Sequence, residues 1–207
     1  MSNEAKHSII LVPGLDDGPD TWLMRLILRL WRSDGIKVDL CRMQWKDGVS
    51  YPSKLERLLR LIDDLTKTGH TVSLVGISAG GSAAINALFA RPDKVHKVIN
   101  ICGRLKDGGY LGFRSLEQQS RSSLAFRESV LLSEQNLIKA NRTHLKKIMS
   151  IRARFGDELV PSDTSVVTGG YNVSVPVAEH GLTIAIALTL WRHAIMQFLD
   201  SDDIATS

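Results

Sequence analysis

The sequence predicts an α/β protein whose core is a three-layer, doubly wound, mostly parallel sheet of six strands. The first observation is that short Val- and Ile-rich runs alternate with segments whose apolar residues recur at helical spacing. Such alternation is typical of βαβ units, which require parallel strands. The second is a long segment between the fourth and fifth strands, residues 103–145, which predicts a helical insertion. The third is the composition: 207 residues with 43% hydrophobic side chains fit one domain spanning 1–207.

Each predicted strand is a short apolar run bounded by glycine, proline or polar residues. The six runs are His7–Val12, Ile36–Cys41, Thr71–Gly76, Val95–Cys102, Lys147–Ala153 and Asn172–Ala178. Helices are expected at Asp20–Ser33, after a capping box formed by Ser53 and Glu56, at Ala79–Ala90, and from Leu182 to Leu199. Gly69 fits the position just past the second helix. One or two further helices are expected in the insertion.

Charge and cysteine content exclude several classes of protein. The net charge is +4, and the segment Arg104–Lys147 holds nine Lys or Arg against four acids. No aromatic residues interleave with these bases, so no nucleic-acid partner is expected, and docking on a membrane surface is the less favoured alternative to a solvated helical face. Cys41 and Cys102 lack metal-ligand spacing, which indicates free thiols, no bound metal and a reducing, cytoplasmic location. No apolar run reaches the 18 to 20 residues of a membrane span.

One sequence motif indicates a chemically reactive residue. Gly76-Ile77-Ser78-Ala79-Gly80 places G-x-S-x-G where the third strand turns into a helix. The chain must turn sharply there, which strains the middle residue and exposes the Ser78 hydroxyl above the carboxyl edge of the sheet. Ser78 is therefore the candidate nucleophile. The alternative is a tight strand-to-helix turn without catalysis.

A serine hydroxyl needs a base, and the base needs a group that orients it. Of the six histidines, His180 alone follows a late strand on a loop at the carboxyl edge, just before the last predicted helix. The candidate acid is Asp157, in the loop after the fifth strand, with Glu158 and Asp163 as competitors. A solvated loop histidine is the alternative interpretation of His180.

An oxyanion forming on an acyl carbon needs two backbone N–H donors. Ala79, the residue after the nucleophile, is one candidate. Leu15, in the loop after the first strand, is the other, and Gly14 allows the main chain there to approach a substrate. A plain strand-to-helix turn remains the alternative.

These segments, PGLDDG, VGISAGGSAA, FGDELVP and AEHG, resemble the α/β-hydrolase superfamily in content and order over essentially the whole chain. The resemblance implies a sheet order of 2-1-3-4-5-6, a Ser78–His180–Asp157 triad, an acyl-enzyme intermediate, and a helical cap over the site formed by residues 103–145. GISAGG is most similar to small esterases and lipases. Two features depart from the family: Pro13-Gly14 stands where many members have His-Gly, and the two leading strands of larger members are absent.

The resulting functional hypothesis is a serine hydrolase that cleaves a small-molecule carboxylic ester and uses no cofactor or metal. Thioesterase or acyltransferase activity on the same triad, or a non-catalytic binding module of this fold, are the alternatives. An apolar acyl pocket is expected from cap residues, namely Tyr110, Phe113, Leu116, Leu124 and Phe126. Arg104 either binds an anionic group of the substrate or, the favoured interpretation, is a structural or surface arginine. The sequence leaves the oligomeric state open.

Overall fold

The computed structural model describes residues 6–17, 22–32 and 36–201. The strands are β1 Lys6–Val12, β2 Lys37–Leu40, β3 His70–Ile77, β4 Val95–Ile101, β5 Ile148–Ala153 and β6 Tyr171–Val175. The helices are α1 Trp22–Arg32, α2 Tyr51–Lys67, α3 Ala79–Ala90, α4 Leu116–Gln119, α5 Leu124–Ile138, α6 Arg142–Lys146, α7 His180–Leu188 and α8 Arg192–Asp200. All six predicted strands exist, with ends displaced by at most a few residues.

The strands form one parallel sheet in the order β2-β1-β3-β4-β5-β6, which confirms the predicted order. Neighbouring residues along each strand face opposite sides because side chains alternate. One in-register row packs under α2, α3 and α5 and comprises Ile10, Leu74, Val98 and Ile148. The next row packs under α1, α7 and α8 and comprises Leu11, Val75, Ile99 and Met149. The two apolar layers explain why the strands read as continuous apolar runs.

The inserted segment divides into two parts. Helix α5 packs on α3 and α2, and its Phe126 and Val130 are buried in the same core as those helices. It therefore belongs to a helical layer of the core. The residues before it, 104–120, form a 3₁₀ turn and the short α4. The segment contains two helices, α4 and α5, as predicted, and a third helix, α6, begins near its end at Arg142. That residues 103–145 act as a cap stays a prediction.

The predicted capping box at Ser53 and Glu56 is wrong. Helix α2 begins at Tyr51, with Ser50 at the N-cap and Pro52 in the first turn. Proline fits that turn because its fixed φ is helical and its missing N–H would have no helical partner. Ser53 therefore lies inside the helix. At the other end, Gly69 adopts a φ of +80°, as predicted for the residue past the helix.

The single predicted helix Leu182–Leu199 is also wrong, because α7 and α8 are separate and meet at 60°. The carbonyl of Leu188 accepts a hydrogen bond from Trp31 Nε1 at 2.8 Å. That tertiary bond lies where α7 ends.

Within the described ranges, no lone helix combines the length and apolarity of a membrane span, although the bent α7–α8 pair does so when taken together. For α1, the predicted ends at Asp20 and Ser33 lie outside the described residues.

Candidate active site

Ser78 occupies the turn between β3 and α3 with φ 51° and ψ −121°. A positive φ is uncommon for a residue with a side chain and indicates local strain. Two hydrogen bonds of 2.9 Å hold the turn: Ser78 N donates to Ile101 O, and Gly81 N donates to Ser78 O. The strained turn predicted from G-x-S-x-G is therefore present.

Glycines on both sides of Ser78 are required by close backbone contacts. A Cβ on Gly76 would lie 2.4 Å from the carbonyl oxygen of Gly80. A Cβ on Gly80 would lie 2.0 Å from the carbonyl oxygen of Val12, at the end of β1. Helix α3 thus sits so close to the sheet that neither position tolerates a side chain.

The three predicted triad side chains form one hydrogen-bonded row. His180 Nε2 lies 3.1 Å from Ser78 Oγ, and His180 Nδ1 lies 2.7 Å from Asp157 Oδ2. His180 and Asp157 are almost fully buried, with 6% and 5% of their surface exposed. His180 is the first residue of α7, so its predicted placement on a loop before the helix is wrong.

The second oxygen of Asp157 is also engaged. Asp157 Oδ1 accepts the N–H groups of Leu159 at 2.9 Å and Val160 at 2.8 Å. These bonds fix the carboxylate and leave Oδ2 directed at the imidazole. The two competing acids lie elsewhere: Glu158 accepts the main-chain N–H of His180, and Asp163 accepts a hydrogen bond from the Tyr110 hydroxyl. Only Asp157 contacts the imidazole ring among the three.

The predicted oxyanion donors flank Ser78. Ala79 is the first residue of α3, so its N–H has no acceptor within the helix. Gly14 lies against Ser78: a Cβ on Gly14 would be 3.0 Å from Ser78 Cβ. Leu15 follows at once, with its side chain packed against the core. The roles of Leu15, Ala79 and Gly14 in binding a substrate stay predictions.

The contacts of Arg104 favour its interpretation as a structural arginine, while contact with a substrate anion stays a prediction. Its side chain is fully buried. Four hydrogen bonds tie its guanidinium to acceptors of the same segment: the carbonyl oxygens of Lys106, Asp107 and Arg114, and Gln119 Oε1. Its Nη2 also lies 3.6 Å from the Asp107 carboxylate, so the guanidinium is held mainly by residues 104–119.

The residues expected to line an acyl pocket are dispersed. Phe126 is buried in the core, edge-on to Trp45 with 6.1 Å between ring centroids, and Leu116 belongs to the same core. Phe113 and Leu124 are exposed by 74% and 66%. The expected pocket is thus not formed by these side chains. Tyr110 is tied to Asp163, as described above, and its contact with a substrate stays a prediction.

Two residues beside the triad were missed by sequence reasoning. Cys102 directly follows β4, and its Sγ, a ring nitrogen of His180 and a carboxylate oxygen of Asp157 all lie within 4.8 Å of one another. Burial, and then the Asp157 charge, raise the pKa of this thiol. These three atoms could face a metal ion, but Nδ1 and Oδ2 already bond each other. For Cys102, its position at the carboxyl end of β4 was the sequence signal that could have placed it near the site. The second missed residue is Glu158, which the sequence indicated only as a competitor of Asp157 for the role of the acid.

The six-stranded parallel sheet with helices on both faces matches the fold of solved α/β-hydrolase structures. Solved structures with this fold cover nearly the whole chain at low identity. Est1E from Butyrivibrio proteoclasticus has a TM-score of 0.69 at 16% identity, covering 95% of this chain and 88% of its own. A pyrethroid hydrolase from Sphingobium faniae has a TM-score of 0.64 at 17% identity, covering 96% of this chain and 99% of its own. A metagenome-derived lipolytic enzyme has a TM-score of 0.65 at 13% identity, covering 94% of each chain. No protein-family model and no curated protein sequence matches the chain.

Proposed function

We propose that this protein is a serine hydrolase that cleaves a small-molecule carboxylic ester. The observation that carries the proposal is the continuous row Ser78–His180–Asp157, with contacts of 3.1 and 2.7 Å and a nucleophile in a strained turn. A hydroxyl, an imidazole and a carboxylate in this order are the groups that activate serine toward an acyl carbon.

In the first half-reaction, Ser78 Oγ attacks the acyl carbon while His180 Nε2 takes its proton. Asp157 accepts the hydrogen bond from Nδ1–H, which holds the required tautomer and stabilises the imidazolium. The N–H groups of Ala79 and Leu15 are the proposed donors to the oxyanion. Collapse of the tetrahedral intermediate breaks the bond to the alcohol oxygen, which leaves with the proton held by His180.

In the second half-reaction, His180 takes a proton from water, and the resulting hydroxide attacks the acyl carbon bound to Ser78. The tetrahedral intermediate collapses, the carboxylic acid leaves, and Ser78 Oγ regains its proton from His180. These steps use side chains and backbone amides of this chain, and they draw on no metal or organic cofactor. The triad geometry supports this route, while the identity of the acyl and alcohol groups stays open.

The structural neighbours support hydrolase chemistry without fixing the substrate. Their names describe a lipolytic enzyme, a pyrethroid hydrolase and a deformylase, so one fold serves several reactions. Thioester hydrolysis and acyl transfer remain the second candidate because the same triad performs them. Matched ester and thioester substrates with one acyl group separate these activities by their kcat/KM ratio, and an added alcohol or amine acceptor reveals transfer.

The test is labelling with a fluorophosphonate, which reacts with an activated serine of any substrate specificity. We expect the wild type to label, Ser78→Ala not to label, and His180→Ala to label at a rate lower by roughly 10³-fold or more. Ser122→Ala, on an exposed turn, is the matched control and should label normally. A folded wild type that does not label would favour the non-catalytic binding module, and labelling that survives in Ser78→Ala would mean that another residue is the nucleophile.

A further inference from the structure

Glu158 contacts the same histidine as Asp157 but at a different atom. Its Oε2 accepts the main-chain N–H of His180 at 3.0 Å. Asp157, one residue earlier, accepts from the ring of that histidine at 2.7 Å. Two consecutive carboxylates in the loop after β5 therefore hold the backbone and the imidazole of one residue.

The need for this contact follows from where His180 lies in α7. The first N–H groups of a helix have no acceptor within it. Glu179, at the N-cap, accepts those of Gly181 and Leu182. The Glu179 side chain thus accepts the N–H groups of the second and third residues of the helix. The N–H group of the first residue, His180, is accepted by Glu158. Glu158 is the acceptor that ties the first residue of α7 to the loop carrying the acid.

We propose that Glu158 is a positioning residue for His180, holding the start of α7 where the imidazole reaches both Ser78 and Asp157. This inference rests on the proposed function. The other polar groups facing His180 are Asp157, the helix-capping Glu179, the thiol of Cys102 and the Ser78 hydroxyl. Arg114 is the nearby cation, since its Nη2 donates to Asp157 O at 2.9 Å.

Two substitutions separate the hydrogen bond from the charge. Glu158→Gln keeps an acceptor near His180 N and removes the charge. We expect its kcat and KM to stay within about threefold of the wild type, because the main-chain N–H of His180 keeps an acceptor. Glu158→Ala removes both, and we expect kcat to fall about tenfold with KM little changed, because the base is misplaced.

Glu56→Gln, an exposed glutamate on α2, is the control for net charge and should leave kcat and KM unchanged. Ser78 labelling of the wild type by fluorophosphonate tests the proposed function independently. If the wild type labels and Glu158→Ala matches it in kcat, or if Glu158→Gln loses as much kcat as Glu158→Ala, the positioning role is overturned. Should Glu158→Ala fail to fold, Glu158→Asp decides: it keeps the charge but is one methylene too short, so a wild-type kcat in that variant overturns the role as well.

Discussion

The main chain of Gly14 lies directly against the side chain of Ser78. A Cβ built on Gly14 would be 3.0 Å from Ser78 Cβ and 3.5 Å from Ser78 Oγ. The loop after β1 and the turn after β3 therefore meet at Ser78, because their strands are neighbours in the parallel sheet. If Ser78 is the nucleophile that we propose, a side chain at position 14 would crowd the approach of an acyl group to it.

Substitution of Gly14 should reduce reactivity with little loss of stability. In Gly14→Ala the new methyl group is crowded but not blocked, so we expect fluorophosphonate labelling to slow by about tenfold, and Gly14→Val to slow it further. Asp16→Ala, whose side chain is 91% exposed, is the control from the same loop. Labelling rates and thermal melts on the same samples check this. An unchanged rate in Gly14→Val would mean that substrates approach Ser78 from another side.

Backbone strain at Ser78 predicts that removing its side chain stabilises the fold while abolishing activity. A residue with φ 51° and ψ −121° lies in a region that glycine adopts without steric cost. We expect Ser78→Gly to exceed Ser78→Ala in free energy of unfolding by about 1 kcal/mol. Urea denaturation measures the difference. Ser82, in the interior of α3, is the matched position, and there the order of the glycine and alanine variants should reverse because glycine is a poor helix former.

The site could be predicted from sequence where its residues depend on local chain geometry. Ser78 is marked by a turn motif at a strand end, and Asp157 and His180 follow later strands whose carboxyl ends share one sheet edge. Arg104 illustrates the opposite case. Nothing in the order of residues shows that a buried guanidinium will be hydrogen-bonded by the loop that follows it. The hydrogen bond from Trp31 to Leu188 O, at the end of α7, likewise joins residues far apart in the chain and has no local sequence signal.

Arg104 should matter for stability and not for charge selectivity. Replacing it with methionine leaves the half-buried carbonyls of Lys106 and Arg114 without their donor, which should lower the free energy of unfolding by about 3 kcal/mol. Any loss of esterase activity should be equal for neutral and anionic esters. Arg121→Met, on an exposed turn, is the control. Urea denaturation and parallel kinetics decide, and a loss confined to anionic esters would place Arg104 in substrate binding after all.

Asp63 makes part of the stability of the fold depend on pH. Arg91 Nε lies 3.1 Å and Lys94 Nζ 2.6 Å from Asp63 Oδ1, joining α2 to the turn after α3. Hydrogen bonds from Arg91, and then from Lys94, lower the pKa of Asp63 from 3.8 to about 2. A carboxyl group whose pKa is lower in the folded state stabilises the protein above its unfolded pKa, and this contribution is lost as the pH falls through the folded value.

Asp63→Asn should therefore lower the melting temperature at pH 7, and the difference in melting temperature from the wild type (the gap) should close between about pH 4 and pH 2. Asp64→Asn, an exposed neighbour paired with Lys67, should show a much smaller gap at every pH. Melting curves of the three proteins over this range check the prediction, which fails if the Asp63→Asn gap is as large at pH 2 as at pH 7.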